Sequence, residues 1–457
     1  MDMMDQAKVL ELLESREVNL VRFELSDMHG VPRCKTIPTS LFKKKASEGL
    51  NFGLGFMNKD PGYNIVHGSK EYLEKRNFGD CVCFPEYNTF TLLPWCGNTT
   101  GRVLLEPRLD GIPIAAYPRN IAKRQLDRLK NLGYSLLSAH EHEFYLVDKE
   151  TRKPIYDIGN LRATSNNFQL GKFYNEIAKQ LPKVGVEIET LETGCGAGQL
   201  QVTYRPAFGI RAPDNAHTYK ISIKEIAYQQ GYMATFMTKP FFDDESNGAH
   251  FCHSLWDVTE TIPLTHDPDD PTGLSQVAQH WMAGILKHAP GLALLLTPTV
   301  NCFRRYDFTT PVNATWGVDN RSCYLRVKLR DDAKNAYMEN RASSSASNPY
   351  LTLAATVAAG IDGIQHKLAL PKGVSGSAYN NMNLPLGTSM IPHNMKDALK
   401  AFLDDEVICK SMGEDFVKLF TAAKMHEMEL EEKANREAKV NGDGDSDWEH
   451  ILYFESM

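Results

Sequence analysis

Residues 138–148 read Ser-Ala-His-Glu-His-Glu-Phe-Tyr-Leu-Val-Asp, and the two carboxylates set two positions apart are where chemistry could begin. Polar and apolar residues alternate and four apolar residues follow, a pattern that predicts a strand. Side chains two apart on a strand share a face, so Glu141, Glu143 and Tyr145 lie on one side and His140, His142 and Phe144 on the other. Neighbouring carboxylates repel unless a cation or a proton sits between them. The pair therefore has two readings, a divalent-metal site or a solvated strand face protected by charge.

The elements that must hold this strand follow from the rest of the chain. Its 457 residues allow two or more domains, and 42% hydrophobic with 23% charged residues is ordinary for a globular protein. A net charge of -7 carries no nucleic-acid footprint, and no run of about 18 apolar residues predicts a membrane span. The opening Met-Asp-Met-Met-Asp-Gln lacks the basic and apolar regions of a signal peptide. Nine scattered cysteines, an odd number, read as free thiols, so a reducing cytoplasm is the expected location.

In chain order, 3–15 predicts an amphipathic helix, and 19–25 and 31–38 a β-hairpin about the Ser26–Gly30 turn. Residues 39–50 read as helical and 51–80 as loop-rich, with short strands at 80–86 and 90–94. A second unit opens near 102–105. Helices are expected at 118–132, 171–183, 214–231, 273–289, 345–366 and 417–439, and strands at 138–148, 198–204, 249–258 and 321–328.

Six segments, in this order, resemble class I glutamine synthetases over nearly the whole chain. They are Asp27-x-x-Gly30 with Thr36-Ile-Pro38; Glu141-His-Glu143-Phe-Tyr; Gly198-Gln199; Lys239-Pro240 with Asn247-Gly-Ala-His250; Asn320-Arg-Ser322 leading to Arg326; and Asn348-Pro-Tyr350. Residues 118–126, 254–257 and 348–360 are similar to the vertebrate lens branch of that family. The resemblance implies an α+β fold, with an N-terminal β-grasp-like domain over 13–105 and a C-terminal catalytic-type domain with a curved antiparallel sheet over 106–455. It also implies a homo-oligomer of two stacked hexameric rings, with each site between neighbouring subunits.

The family joins glutamate to ammonia with ATP through a γ-glutamyl phosphate, using two Mg or Mn ions. Such phosphoryl transfer depends on positioning and charge cancellation. Carried over residue by residue, the resemblance assigns Glu141, His250 and Glu339 to the nucleotide-side metal. Glu143 belongs to the second metal, but Gln201 stands where a ligand Glu is expected, and Thr193 or Gly194 where another is. Glu192 is one or two positions out. Arg305, Arg341 and Arg321 match substrate and phosphoryl contacts, and Ser254 and Arg326 nucleotide contacts. Cys252 stands where a nucleotide-side His is expected and Tyr337 where an Arg is.

Two further departures bear on turnover. The 51–58 stretch lacks the ammonium-site Asp-Gly-Ser-Ser, with Asp60 nearby in a different context. Thr309 occupies the position of the flap acid, and a hydroxyl is no general base near neutral pH; losing one costs on the order of 100- to 10,000-fold. The expectation is a protein of this fold with no intact catalytic acid and ligase activity lost or greatly reduced. It would retain Mg or Mn and ATP at reduced affinity and pair with cytoskeletal or other structural proteins, with no nucleic-acid or membrane partner. The alternative is an active ATP-dependent γ-glutamyl ligase, either a glutamine synthetase or one taking a larger amine.

Overall fold

The computed structural model describes residues 4–306, 310–330, 332–441 and 447–457. Two sheets organise them. The first has seven strands: β1 (Leu20–Ser26), β2 (Pro32–Pro38), β3 (Leu50–Gly53), β4 (Asp80–Pro85), β5 (Thr91–Leu92), β6 (Thr100–Leu109) and β7 (Ile112–Pro113). Their order is β2-β1-β6-β4-β3, with β5 and β7 pairing on β6, and β1 runs parallel to β6. The 20–38 hairpin forms as its turn predicts, with Leu20 opposite Pro38 and Ser26 opposite Pro32.

The second sheet has nine strands: β8 (Tyr134–Asp148), β9 (Ile188–Thr193), β10 (Gln199–Tyr204), β11 (Ala207–Phe208), β12 (Tyr232–Thr235), β13 (Ala249–Asp257), β14 (Trp316–Val318), β15 (Leu325–Lys328) and β16 (Tyr337–Asn340). The order β14-β15-β16-β13-β8-β10-β9 makes β8 central, with β11 and β12 also pairing on it. One face carries His140, His142 and Phe144, all buried: His140 stacks on His142 and meets Phe251, His142 stacks on Tyr219 of the helix Arg211–Gln229, and Phe144 packs against Phe236. The other carries Glu141 and Glu143, as the alternation requires.

Helices Pro118–Asn131, Gln276–Leu296 and Pro349–Gln365 back the molecule. The last two approach closely because Gly284 and Gly363 face each other: a Cβ on Gly284 would lie 2.2 Å from the Ala359 carbonyl oxygen. Among the described residues no helix is long and apolar enough to cross a membrane.

Several motif residues turn out to join the two sheets' units. The Asp27 carboxylate accepts from the backbone N–H of His29 and Val31 and from Arg33, tightening the Asp27–Gly30 turn. Asn348 Nδ2 donates to the Asp27 carbonyl at 3.1 Å, and Gly30, at φ +84°, leaves room for the Asn348 backbone. Tyr350 donates to Asp214, which Arg119 grips with two 2.8 Å bonds.

Some boundaries differ from the sequence pattern. The last of the backing helices starts at Pro349, not 345, because Asn348 caps Tyr350 N–H and proline fits the first helical position. The 51–80 stretch, loop-rich by composition, contains β3 and a short helix, Lys70–Glu74, where glycines at 49, 53 and 55 obscure the short apolar pattern. The strand expected at 90–94 shrinks to two residues before Pro94. The helix expected over 273–289 runs from a Ser275 cap to Leu296, past Pro290.

Candidate active site

β8, β13 and β16 are adjacent antiparallel strands, and their register sets His250 opposite Glu141 and Cys252 opposite Glu339. Alternation then points Glu141, His250 and Glu339 to one side of the sheet, and their ligating atoms all lie within 4.8 Å of one another. His250 Nδ1 is 3.1 Å from Glu141 Oε2 and 3.4 Å from Glu339 Oε1. One imidazole and two carboxylates on rigid strands fit a hard divalent cation, with remaining positions open to water or phosphate oxygens. Glu339 is deeply buried, and its charge is balanced by Arg341 Nη1 at 2.5 Å and Arg326 Nη1 at 3.1 Å. Arg326 is held in turn by Asp319 at 2.5 Å. Burial works against the Glu141 charge, but the hydrogen bond from His250 and the nearby Arg341 and Arg321 hold its carboxyl below the ordinary range.

The neighbouring strands supply the other side. The register puts Gln201 of β10 opposite Glu143 and Glu192 of β9 opposite Gln201, so all three face the cleft. The Gln201 amide donates to Glu141 Oε1. Glu192 is taken up within the cleft by Arg162, whose guanidinium binds both its oxygens. Thr193 pairs with Leu200, so it points into the core and is fully buried. A Cβ on Gly194 would lie 2.5 Å from Gln199 Oε1, leaving no room for an acidic side chain without a shift. Glu143 alone stays, accepting 2.6 Å from Gly248 N–H, and burial pushes its carboxyl above the ordinary range.

Arg305 reaches the same place from the single helical turn Val300–Arg305 and donates to the carbonyls of Ala342 and Ser343. Gly248 is where the groups converge: a Cβ there would lie 3.3 Å from Arg305 Nη2, Glu143 Oε2 and His250 Nε2 alike. Gln199, the motif glutamine, frames this point by donating to Ser246 carbonyl and Asn247 Oδ1, both at 3.0 Å.

Beside these groups opens a cleft of about 550 Å³, lined in part by Glu141, Arg162, Glu192, Cys252, Ser254 and Tyr337. Ser254 Oγ accepts from the Trp256 indole at 2.9 Å. Burial and the facing Glu141 and Glu339 push the Cys252 thiol well above its ordinary value, so it is a neutral thiol there. Burial likewise keeps the Tyr337 phenol protonated. Arg321 is exposed on the turn before β15, and Asp60 is buried and tied to Asn64. Thr309 lies outside the described residues. Sequence reasoning did not single out Asp319 or Arg162. Both sit at positive φ, Asp319 at 49° and Arg162 at 60°, a backbone feature that the sequence pattern does not announce.

This fold and this acidic, arginine-flanked cleft are of a ligase type, and the chain belongs to the glutamine synthetase family. Residues 115–441 match the glutamine synthetase catalytic domain. The chain is 34% identical over 435 residues to lengsin of Homo sapiens, covering 93% of this chain and 83% of that protein. It is 30% identical over 428 residues to glutamine synthetase of Thermotoga maritima, covering 91% and 94%. Among solved structures, a GmaS/ADP complex superposes with a TM-score of 0.83 over 96% of this chain and all of that one, at 24% identity. A novel glutamine synthase homolog superposes with a TM-score of 0.80 over 95% and 97%, at 25% identity.

Proposed function

We propose that the chain is a lengsin-like glutamine synthetase homologue that holds one divalent cation, Mg or Mn, with nucleotide at Glu141, His250 and Glu339, and forms little or no glutamine. Its role is then structural, within a homo-oligomeric ring and with cytoskeletal or other structural proteins of the cytoplasm as partners. The domains are those expected from the family, 13–105 and 106–455. The observation that carries this reading is the Gln201 amide bonded to Glu141. A donor sits where charge compensation of a second cation needs an acceptor, and the amide lacks the charge a carboxylate would bring. A bound cation would neutralise nucleotide phosphate charge; Arg326 and Arg341 fix the Glu339 carboxylate, and Arg305 with Arg321 offers cationic contacts to an anionic substrate. Ser254 lines the nucleotide side. In sequence, Thr309 stands where the family's flap acid is expected, and a hydroxyl is no general base near neutral pH.

Phosphate release from ATP is the test, measured with glutamate and ammonium in Mg or Mn. Release at the no-enzyme background supports the reading, and robust turnover overturns it. A second reading, an ATP-dependent γ-glutamyl ligase for a larger amine, is favoured by the convergence of Arg305, Glu143 and His250 on Gly248. Turnover with one member of an amine panel and none with ammonium would select it.

A further inference from the structure

Far from the cleft in sequence, the C-terminal segment 447–457 packs into the body of the protein. Leu452, Tyr453, Phe454 and Met457 are buried. Tyr453 donates to Glu427 Oε2 at 2.7 Å, and the Met457 carbonyl accepts from Phe236 N–H. These anchors set one acidic side chain, Glu449, against the back of the turn that delivers Arg305.

Glu449 bridges two residues of that turn. Its Oε2 accepts from Asn301 Nδ2 at 2.7 Å, and its Oε1 accepts from Arg304 Nη2 at 2.7 Å and Nε at 3.1 Å. Asn301, nearly fully buried, also exchanges bonds with the backbone of Lys239, accepting from its N–H at 2.7 Å and donating to its carbonyl at 3.0 Å. Next to Glu449, His450 Nε2 lies 2.5 Å from the Pro240 carbonyl. The tail thus ties the 239–240 loop to the 300–305 turn. The six-residue turn is held on its inner side by Cys302, whose thiol contacts Thr238 and Ser344, and on its outer side Arg304 reaches Glu431 at 3.4 Å while Glu449 grips both Asn301 and Arg304. On the inner side of the same turn, Arg305 donates to the carbonyls of Ala342 and Ser343.

We infer that Glu449 is a positioning residue for Arg305: the C-terminal segment fixes the turn so that the guanidinium meets a carboxylate substrate at the Glu143–His250–Gly248 corner. This rests on the reading of Arg305 as a substrate contact. The substrate class is an anionic amino acid such as glutamate, since a guanidinium beside a metal corner selects a carboxylate. Charge-assisted bonds from a carboxylate to both Asn301 and Arg304 are of the strength that can hold such a turn.

The experiment compares full-length Glu449→Ala, Glu449→Gln and Arg305→Ala with the parent. Amide exchange over 300–306, glutamate binding with Mg and a non-hydrolysable ATP analogue, and Mn binding are measured on each. The expected result for Glu449→Ala is faster exchange across 300–306 and glutamate affinity weakened about tenfold or more, with Mn affinity unchanged. Glu449→Gln, which still accepts from Asn301, falls between. Unchanged exchange over 300–306 in Glu449→Ala overturns the inference, whatever glutamate does. So does unchanged glutamate affinity in Glu449→Ala when Arg305→Ala abolishes binding. If Arg305→Ala leaves glutamate affinity intact, or the parent binds none, the substrate reading of Arg305 fails and with it the positioning role.

Discussion

The two sides of the cleft are built on adjacent strands of one sheet yet are satisfied in different ways. On the Glu141–His250–Glu339 side, carboxylates meet cationic or nitrogen partners placed by strand register: His250, Arg326 and Arg341. On the Glu143–Gln201–Glu192 side, one position is an amide, one acid is paired with Arg162, and the remaining acid is buried with its carboxyl pushed up. Concentrated negative charge on a sheet face persists only where something compensates it. The first side holds a donor set that fits a cation; on the second, the acids and the amide are taken up by hydrogen bonds within the protein.

Breaking the first side should have the largest effect. Glu339→Ala leaves Arg326 and Arg341 buried without their shared carboxylate, and loss of one partner of a buried pair costs about 3–5 kcal/mol. Thermal unfolding should fall accordingly and Mn binding should vanish; a variant of unchanged stability that binds Mn normally would dissolve the contrast. Gln201→Glu tests the second side by restoring a charge. Without metal, the new carboxylate faces Glu141 and should cost about 1–2 kcal/mol, the penalty of replacing a donor by a like charge. With Mn, calorimetric stoichiometry should rise from one ion per chain towards two. A stoichiometry that stays at one means the second side is lost for reasons beyond Gln201.

The two retained glutamates of β8 should also titrate apart. Glu141, held low in the fold, contributes stability that is present above its unfolded value and lost as pH falls through its lower folded value. Glu143, raised by burial, has the opposite sign: its buried charge is destabilising above its raised folded value, and that cost is relieved as pH falls through it. Carboxyl infrared bands of Glu141→Gln and Glu143→Gln, measured against the parent without metal, should show Glu143 protonating at the higher pH; coincident titrations would erase the difference between the sides. The smallest change is expected from Arg162→Ala. Arg162 is 59% exposed, so loss of its pair with Glu192 should shift stability by less than about 1 kcal/mol. Its value is in freeing Glu192, and a second Mn ion bound by this variant would show that the pair with Arg162 alone keeps that acid from a cation.

Alternation in 138–148 was enough to separate Glu141 and Glu143 from His140 and His142, and the structure divides them that way. The order of motifs was enough for family and fold. The motif residues themselves could not say why they are there. Asn348 and Asp27 join two units of the chain, and Gln199 frames the His250 strand, contacts that no local spacing encodes. The position of Glu192 was one or two residues uncertain from the sequence because the loop length between β9 and β10 could not be read. Register settled it: Glu192 faces the cleft opposite Gln201, while Thr193 faces the core.

By itself, then, the sequence determined which side chains of β8 share a face and which of them are acidic, because a strand repeats every two residues and side-chain charge is a property of residue type. Tertiary structure alone decided which partner each acid takes: His250 and Gln201 for Glu141, Arg162 for Glu192, and the turn of Arg305 for the distant Glu449. Those pairings depend on strand register and on segments that meet only after folding. A carboxylate's charge is written in the chain, but what balances it is chosen by whatever the fold brings within hydrogen-bonding distance.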